Sequence, residues 1–313
     1  MVSAKIVASG YHVPEKILCN NFFIESKNNP YLVYIGEDEN GNPEYKSEKV
    51  FLSNEKILKN TGGIRERRRI GENETTIDLV EKAFKKSGFN AENLEGIVIG
   101  SISHDNRSLF PSMACCTQER IGAKNVKYTS DIIAACSGFT HAVDNARLKI
   151  EKSGGYYLAA GIDVLTRITD YSEVNCDLFG DGCGLVVLGP TDDKNEGILG
   201  TEFASDVSGL RCIYQDKNGF LRMPGGGSVL KKATRGMIEL AHILMGRLKL
   251  SKEDISKYIP HQANGRILDE IEQRVRNVER LTEKCELREK QIIIMFKMIL
   301  DKSVNPHRGK KIE

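Results

Sequence analysis

Apolar residues recur at two spacings along this chain, and the two spacings alternate. Short continuous runs at Ala4 to Ser9, Ile97-Val-Ile-Gly100, Val126 to Ala134 and Tyr156 to Ala160 read as buried strands. Between them, Thr75 to Ser87 sets Ile77, Val80 and Phe84 on one helical face, with Gly88 as a stop. Ser112 to Ile121 and Ser137 to Lys152 also read as helices, the second closed by Ser153-Gly154-Gly155. Strands alternating with helices predict a sheet covered on both faces. Residues 20–50 break the rhythm with interspersed Asn, Glu, Gly and Pro, which predicts an irregular surface segment or insertion.

A second unit begins near residue 190. Ile198 to Ser205 is strand-like, and Gly225-Gly226-Gly227 reads as a loop. Lys232 to Leu248 predicts a helix with Met237, Leu240, Ala241 and Leu244 on one side. Ile255 to Ile259 predicts a strand leading into Pro260-His261-Gln262-Ala263-Asn264, with another helix behind it. This order loosely mirrors the first half and hints at duplication, although no residue-by-residue repeat is legible. The expected division is 1–190, 191–273 and a distinct tail, 274–313. That tail holds 11 Lys/Arg against 6 Asp/Glu. Val275, Val278, Leu281 and Cys285 give it a thin helical pattern, read as a solvated helix in preference to a docking arm for an acidic partner.

Composition adds bounds. With 313 residues, 40% hydrophobic and 28% charged, the chain has the make-up of a soluble α/β protein with a large core. A net charge of +2 gives no general pull toward nucleic acid or membrane. No long apolar stretch follows Met1, and Ile292 to Phe296 is too short to span a bilayer. The eight Cys form no Cys-x-x-Cys pair and no Cys/His grouping with zinc spacing. They read as free thiols in a reducing cytoplasm.

Cys136 carries the candidate chemistry. In Asp131-Ile-Ile-Ala-Ala-Cys136-Ser-Gly-Phe139 a strand-like run meets the start of an amphipathic helix. N–H groups of a first helical turn and the positive end of its dipole favour negative charge on such a sulfur. A thiolate there can attack an acyl group and hold it as a thioester. The Gly-rich Phe179 to Leu188 lacks the Lys and Ser/Thr of a phosphate loop and the context of a dinucleotide fingerprint. It reads as a tight bend feeding a core strand.

Three segments together resemble β-ketoacyl-[acyl-carrier-protein] synthase III, a condensing enzyme of the thiolase superfamily. They are Ala134-Ala-Cys136-Ser-Gly-Phe139, Leu178-Phe-Gly-Asp-Gly-Cys-Gly184 and Pro260-His261-Gln-Ala-Asn264-x-Arg266-Ile267. Gly63-Ile64-Arg65-Glu66-Arg67 and Phe110-Pro-Ser112 also look like the family's early motifs. The resemblance implies a thiolase-like fold: two similar α/β halves in five layers, with the site where they meet and the second half incomplete here. It implies decarboxylative condensation of an acyl group from acyl-CoA with malonyl-acyl carrier protein, giving 3-oxoacyl-carrier protein in fatty-acid biosynthesis. Cys136 is then the nucleophile, and His261 a donor to the enolate oxygen formed as CO₂ leaves. Asn264 is expected to face the pantetheine arm and Arg266 the acyl carrier protein. Lys231, Lys232 and Arg235 are possible additions to that patch, from charge alone. The resemblance also implies a homodimer, no metal and no bound organic cofactor.

The sequence departs from the family in two places. No Asn-Thr-Ser-Ala-like string follows His261, and no Gly-rich turn closes the chain, so donors to both oxyanion sites are missing. The likeness stops near Val275, as a reading-frame shift or a fusion would make it. The chain also has no Trp for an adenine clamp, and Ile57 and Thr61 stand at the clamp positions. Two alternatives follow: a catalytically impaired remnant, or a thiolase-like acyltransferase to an alcohol or amine.

Overall fold

The structure, a computed structural model, describes residues 3–105, 109–193, 196–224, 226–277 and 292–295. The chain opens with β1 (Ser3–His12), β2 (Lys16–Cys19) and α1 (Asn20–Ile24), followed by a hairpin of β3 (Tyr34–Glu37) and β4 (Pro43–Tyr45). Next come α2 (Asn54–Thr61), β5 (Glu66–Arg69), α3 (Thr76–Ser87), β6 (Leu94–Gly100), α4 (Met113–Ile121) and β7 (Tyr128–Ile132). The first unit ends with α5 (Gly138–Ser153), β8 (Tyr156–Val164) and β9 (Asp181–Thr191). Beyond it lie β10 (Tyr214–Gln215), β11 (Leu221–Arg222), α6 (Gly226–Leu248), β12 (Ile255–Ile259), α7 (Gly265–Asn277) and β13 (Ile292–Met295).

Among the described residues the main sheet has five strands in the order β1-β9-β8-β6-β7. β6 pairs in parallel with β7 and β8, while β9 runs antiparallel to β8 and β1. The pleat sorts side chains to two cores. Ile97, Ile99, Leu158, Ala160 and Ile162 pack under Leu79, Val80, Ala83 and Phe84 of α3 and Met113 and Ala114 of α4. Val98, Tyr157, Ala159, Val186 and Leu188 pack on the opposite face against Phe139, Ala142, Val143, Ala146 and Ile150 of α5. The result is a helix–sheet–helix sandwich. Because β6, β7 and β8 are parallel, their C-terminal ends share one edge, where ligands bind open α/β sheets.

Helix ends follow the capping chemistry in the sequence. Thr75 caps α3 in a reciprocal box with Asp78, and Ser112 caps α4 through Cys115 N–H. Gly88 and Gly122 close these helices in the left-handed conformation.

Three expectations need correction. Residues 20–50 are ordered around a small core: Phe23 and Tyr31 are buried with Leu18, Leu52, Ile57 and Cys176. Ile198 to Ser205 is not a strand; Ile198 N–H reaches Ala4 O at 2.8 Å, but no ladder follows. Gly226 and Gly227, expected in a loop, instead open α6, which runs 23 residues; Gly225 lies outside the described residues. The apolar face of the downstream helix outweighs the low helix propensity of its glycines. Most of the charged tail, including Val278, Leu281 and Cys285, lies outside the described residues.

Candidate active site

Cys136 sits past the C-terminal end of β7, in a 3₁₀ turn over Ala135–Ser137 that runs into α5. The turn is sharp because Ala135 has φ 43°, a left-handed conformation that alanine rarely adopts. Ser137 N–H and Oγ both donate to Ala134 O, at 3.0 and 2.8 Å, and fix the turn. The thiol is exposed at its tip. This strand–turn–helix arrangement is the geometry of a nucleophile elbow.

The elbow rests on two close backbone approaches that the motif makes possible. A Cβ on Gly100 would lie 2.2 Å from the carbonyl carbon of Gly138, so only glycine lets the end of β6 meet the start of α5. A Cβ on Gly161 of β8 would lie 2.8 Å from Cβ of Phe139, which is buried at 2% exposure. The Cys-Ser-Gly-Phe spacing therefore anchors the residues just after the sulfur while leaving the sulfur open.

Carboxylates hold the neighbouring strand ends. Asp131 on β7 accepts from Met113 N–H at 2.7 Å and Ala114 N–H at 2.9 Å, and pairs with His104 Nε2 at 3.2 Å. Asp163 at the end of β8 accepts from Ile102 N–H at 3.0 Å and from the Ser101 and Ser103 hydroxyls at 3.3 and 3.2 Å. Asp181, the acid of the Phe-Gly-Asp-Gly string, accepts from Ile70 N–H, Thr166 N–H and Thr166 Oγ1 at 2.6–2.9 Å. Burial raises its carboxyl above the ordinary aspartate range, against these donors. That string therefore does what the sequence suggests: it bends into β9, which starts at Asp181. A cleft of about 510 Å³ opens at the shared strand edge, lined by residues including Ser103, His104, Asp105, Val164, Arg167 and Ile168. Asp131, Asp163 and His104 were not singled out from the sequence. A polar residue at each strand end was the available signal.

His261 lies in the loop between β12 and α7 and is partly buried. Asn264 starts α7: its Oδ1 accepts from Arg266 N–H at 2.9 Å and its Nδ2 donates to Asn60 O at 3.1 Å. Gly62 and Gly265 meet backbone to backbone, since a Cβ on Gly62 would lie 2.5 Å from Arg266 N. The observed contacts thus join the His261 segment to the end of α2, while those around Cys136 go to β6 and β8. Arg266 is exposed. Of the three added basic residues, Lys232 is paired with Asp206 at 2.9 Å and Arg235 with Glu239 at 2.7 Å. Ile57 and Thr61 are both fully buried, and Thr61 Oγ1 donates to Ile57 O at 2.7 Å. Neither offers a surface to a nucleotide.

Fold and elbow together define a thiolase-like α/β protein with an exposed cysteine on the turn into α5. The family model described as 3-Oxoacyl-[acyl-carrier-protein (ACP)] synthase III matches residues 130–207, the segment from the elbow strand through β9. A β-ketoacyl-[acyl-carrier-protein] synthase III of Geobacillus kaustophilus is 32% identical over 280 residues, covering 88% of this chain and 80% of that protein. One from Halalkalibacterium halodurans is 35% identical over 249 residues, 77% of each. The crystal structure of 3-oxoacyl-[acyl-carrier-protein] synthase III from Aquifex aeolicus superposes with a TM-score of 0.73 at 30% identity, over 87% of this chain and 81% of that one. The Thermus thermophilus enzyme gives 0.73 at 28% identity, over 87% and 80%. The chain belongs to the β-ketoacyl-[acyl-carrier-protein] synthase III family.

Proposed function

We propose that this chain is an acyltransferase that condenses an acyl group with malonyl-acyl carrier protein in fatty-acid biosynthesis. Cys136 attacks the carbonyl of an acyl-CoA, expels the coenzyme A thiolate and holds the acyl group as a thioester. Malonyl-acyl carrier protein then loses CO₂, and its enolate carbon attacks that thioester. The product is 3-oxoacyl-acyl carrier protein, and the Cys136 sulfur is freed. His261 donates a hydrogen bond to the enolate oxygen while charge develops there. Asn264 holds the His261 loop on α2, and Arg266 meets the acidic carrier protein. The observation that carries this reading is the exposed Cys136 on a left-handed elbow at the C-terminal edge of the parallel strands β6, β7 and β8.

The working form is a homodimer. Among the described residues β7 is an edge strand of the main sheet, and Ile133, just past its end, is 64% exposed. An edge of this kind pairs readily with a second copy. The division at residue 190 is supported by β9, which ends at Thr191. A cytoplasmic location fits the free cysteines, and no helix among the described residues is long and apolar enough to cross a membrane.

A second reading keeps Cys136 and passes its acyl group to an alcohol or amine without decarboxylation. The absence of an Asn-Thr-Ser-Ala-like string after His261 favours it. Product analysis with acyl-CoA, malonyl-acyl carrier protein and a competing amine decides between them. Condensation gives 3-oxoacyl-carrier protein and one CO₂ per turnover. Acylated amine without CO₂ release would replace the first reading by the second.

A further inference from the structure

Arg222 of β11 is buried at 2% exposure and is shared by three carboxylates from two separate segments. Its Nε donates to Asp216 at 2.8 Å, and its Nη1 to Asp170 at 2.7 Å and Glu173 at 3.3 Å. With every group ionised, the cluster would carry two uncompensated negative charges out of water, which is costly.

The hydrogen bonds show which carboxylate can shed its charge. Asp216 also accepts from Asn218 N–H at 2.9 Å and Phe220 N–H at 2.8 Å. Asp170 also accepts from Ser172 N–H at 2.9 Å and Ser172 Oγ at 2.6 Å. Glu173 has the one long contact to Arg222, and its Oε1 is buried with no hydrogen-bond partner among the described residues. It is the worst-served anion of the three.

The cluster also joins segments far apart in sequence. Tyr34 of β3 lies against the guanidinium, 5.0 Å from ring centroid to Arg222 Cζ, and its hydroxyl bonds that of Tyr214. Leu32 N–H donates to Ser172 O, and Val174 N–H to Leu32 O, both at 2.9 Å. Leu221 N–H donates to Ile168 O at 2.7 Å. Lys217 Nζ reaches Asn40 O and Asn42 Oδ1, both at 2.9 Å.

We propose that this cluster is a proton-operated latch: with a proton on Glu173 it fastens the 31–50 segment and the β10–β11 hairpin to residues 165–178, and loss of that proton loosens both. Burial pushes the Glu173 carboxyl up to about 7, against Arg222 and with help from Asp170 and Asp216. A carboxyl raised in the folded state contributes stability that is fully present below the ordinary glutamate range and is lost as pH rises through about 7. Tyr34 and Tyr45 are pushed up by burial and stay neutral, as does Cys176. Burial pushes Asp170 up, but Ser172 and Arg222 overcome it and hold the carboxyl below its ordinary value. Asp177, next to Cys176, is pushed up to about 6 by burial against Arg67 and titrates below the Glu173 range.

Hydrogen–deuterium exchange on the full chain from pH 5.5 to 8.5, corrected for intrinsic rates, tests the latch. Protection of peptides covering 31–50 and 214–222 should fall about tenfold or more across pH 7 in the wild type, since one pH unit past a pKa is a tenfold change in the ionised-to-protonated ratio. Glu173→Gln, which keeps the neutral shape, should hold protection across the range. Flat protection in the wild type, or an equal fall in the variant, overturns the proposal. If the variant does not fold, carbon NMR of glutamate-labelled wild-type protein decides: a carboxyl titrating between pH 6 and 8 supports the latch, and its absence overturns it.

Discussion

Ala135 holds a φ of 43° that costs an L-residue about 1–2 kcal/mol relative to right-handed backbone. Strain of this kind persists only where surrounding structure over-determines it. Here the Gly100–Gly138 contact and the buried Phe139 do so, and the exposed Cys136 is what they hold out. Gly100→Ala should therefore destabilise the protein by about 1–3 kcal/mol through overpacking. It should also slow iodoacetamide alkylation of Cys136 relative to that of the exposed Cys19. Thermal unfolding and site-resolved alkylation rates check both. An unchanged Cys136 rate in a destabilised variant would mean that the contact serves stability alone.

At the scale of elements, α7 depends on one side chain at its start. Asn264→Ala removes the acceptor for Arg266 N–H and the bond to Asn60 O. A lost N-cap costs roughly 0.5–2 kcal/mol. Urea denaturation should register that loss, together with weaker acyl transfer if the His261 loop needs this anchor. Much of this architecture was legible in the sequence. The apolar runs of β6 and β8, the caps of α3 and α4 and the strand Ile255–Ile259 all follow from local pattern. So did the placement of Cys136 ahead of α5. What was not legible depends on partners distant in the chain. The order in residues 20–50 comes from Tyr31 and Phe23 packing on Ile57 and Cys176. The roles of Asp131 and Asp163 need the strand ends brought side by side. Ile198 to Ser205 has a strand's composition but no neighbouring strand to pair with among the described residues.

At the scale of the whole molecule, two buried carboxyls hold protons near neutrality that the unfolded chain sheds, while burial lowers the His12 pKa and acts in the opposite sense. Glu173 and Asp177 are pushed up to about 7 and about 6, in each case by burial first. Both shifts make stability fall as pH rises, for Asp177 up to about 6 and for Glu173 up to about 7, by a few kcal/mol in order of magnitude. Denaturant midpoints at pH 5.5 and pH 8 should show the lower pH to be the more stable, although Asp170 opposes the trend as pH drops toward 4. The proposed homodimer makes a second prediction at this scale. Sedimentation should give twice the 34.9 kDa chain mass, and Ile133→Asp should shift it toward one. Capture of an acyl group on a single sulfur can be read from the mass of the intact protein after incubation with a panel of acyl-CoA chain lengths. The wild type should gain one acyl increment, mapped to the peptide holding Cys136, and a folded Cys136→Ala variant none. An equal increment in both proteins, or none in the wild type with any acyl-CoA, would contradict it.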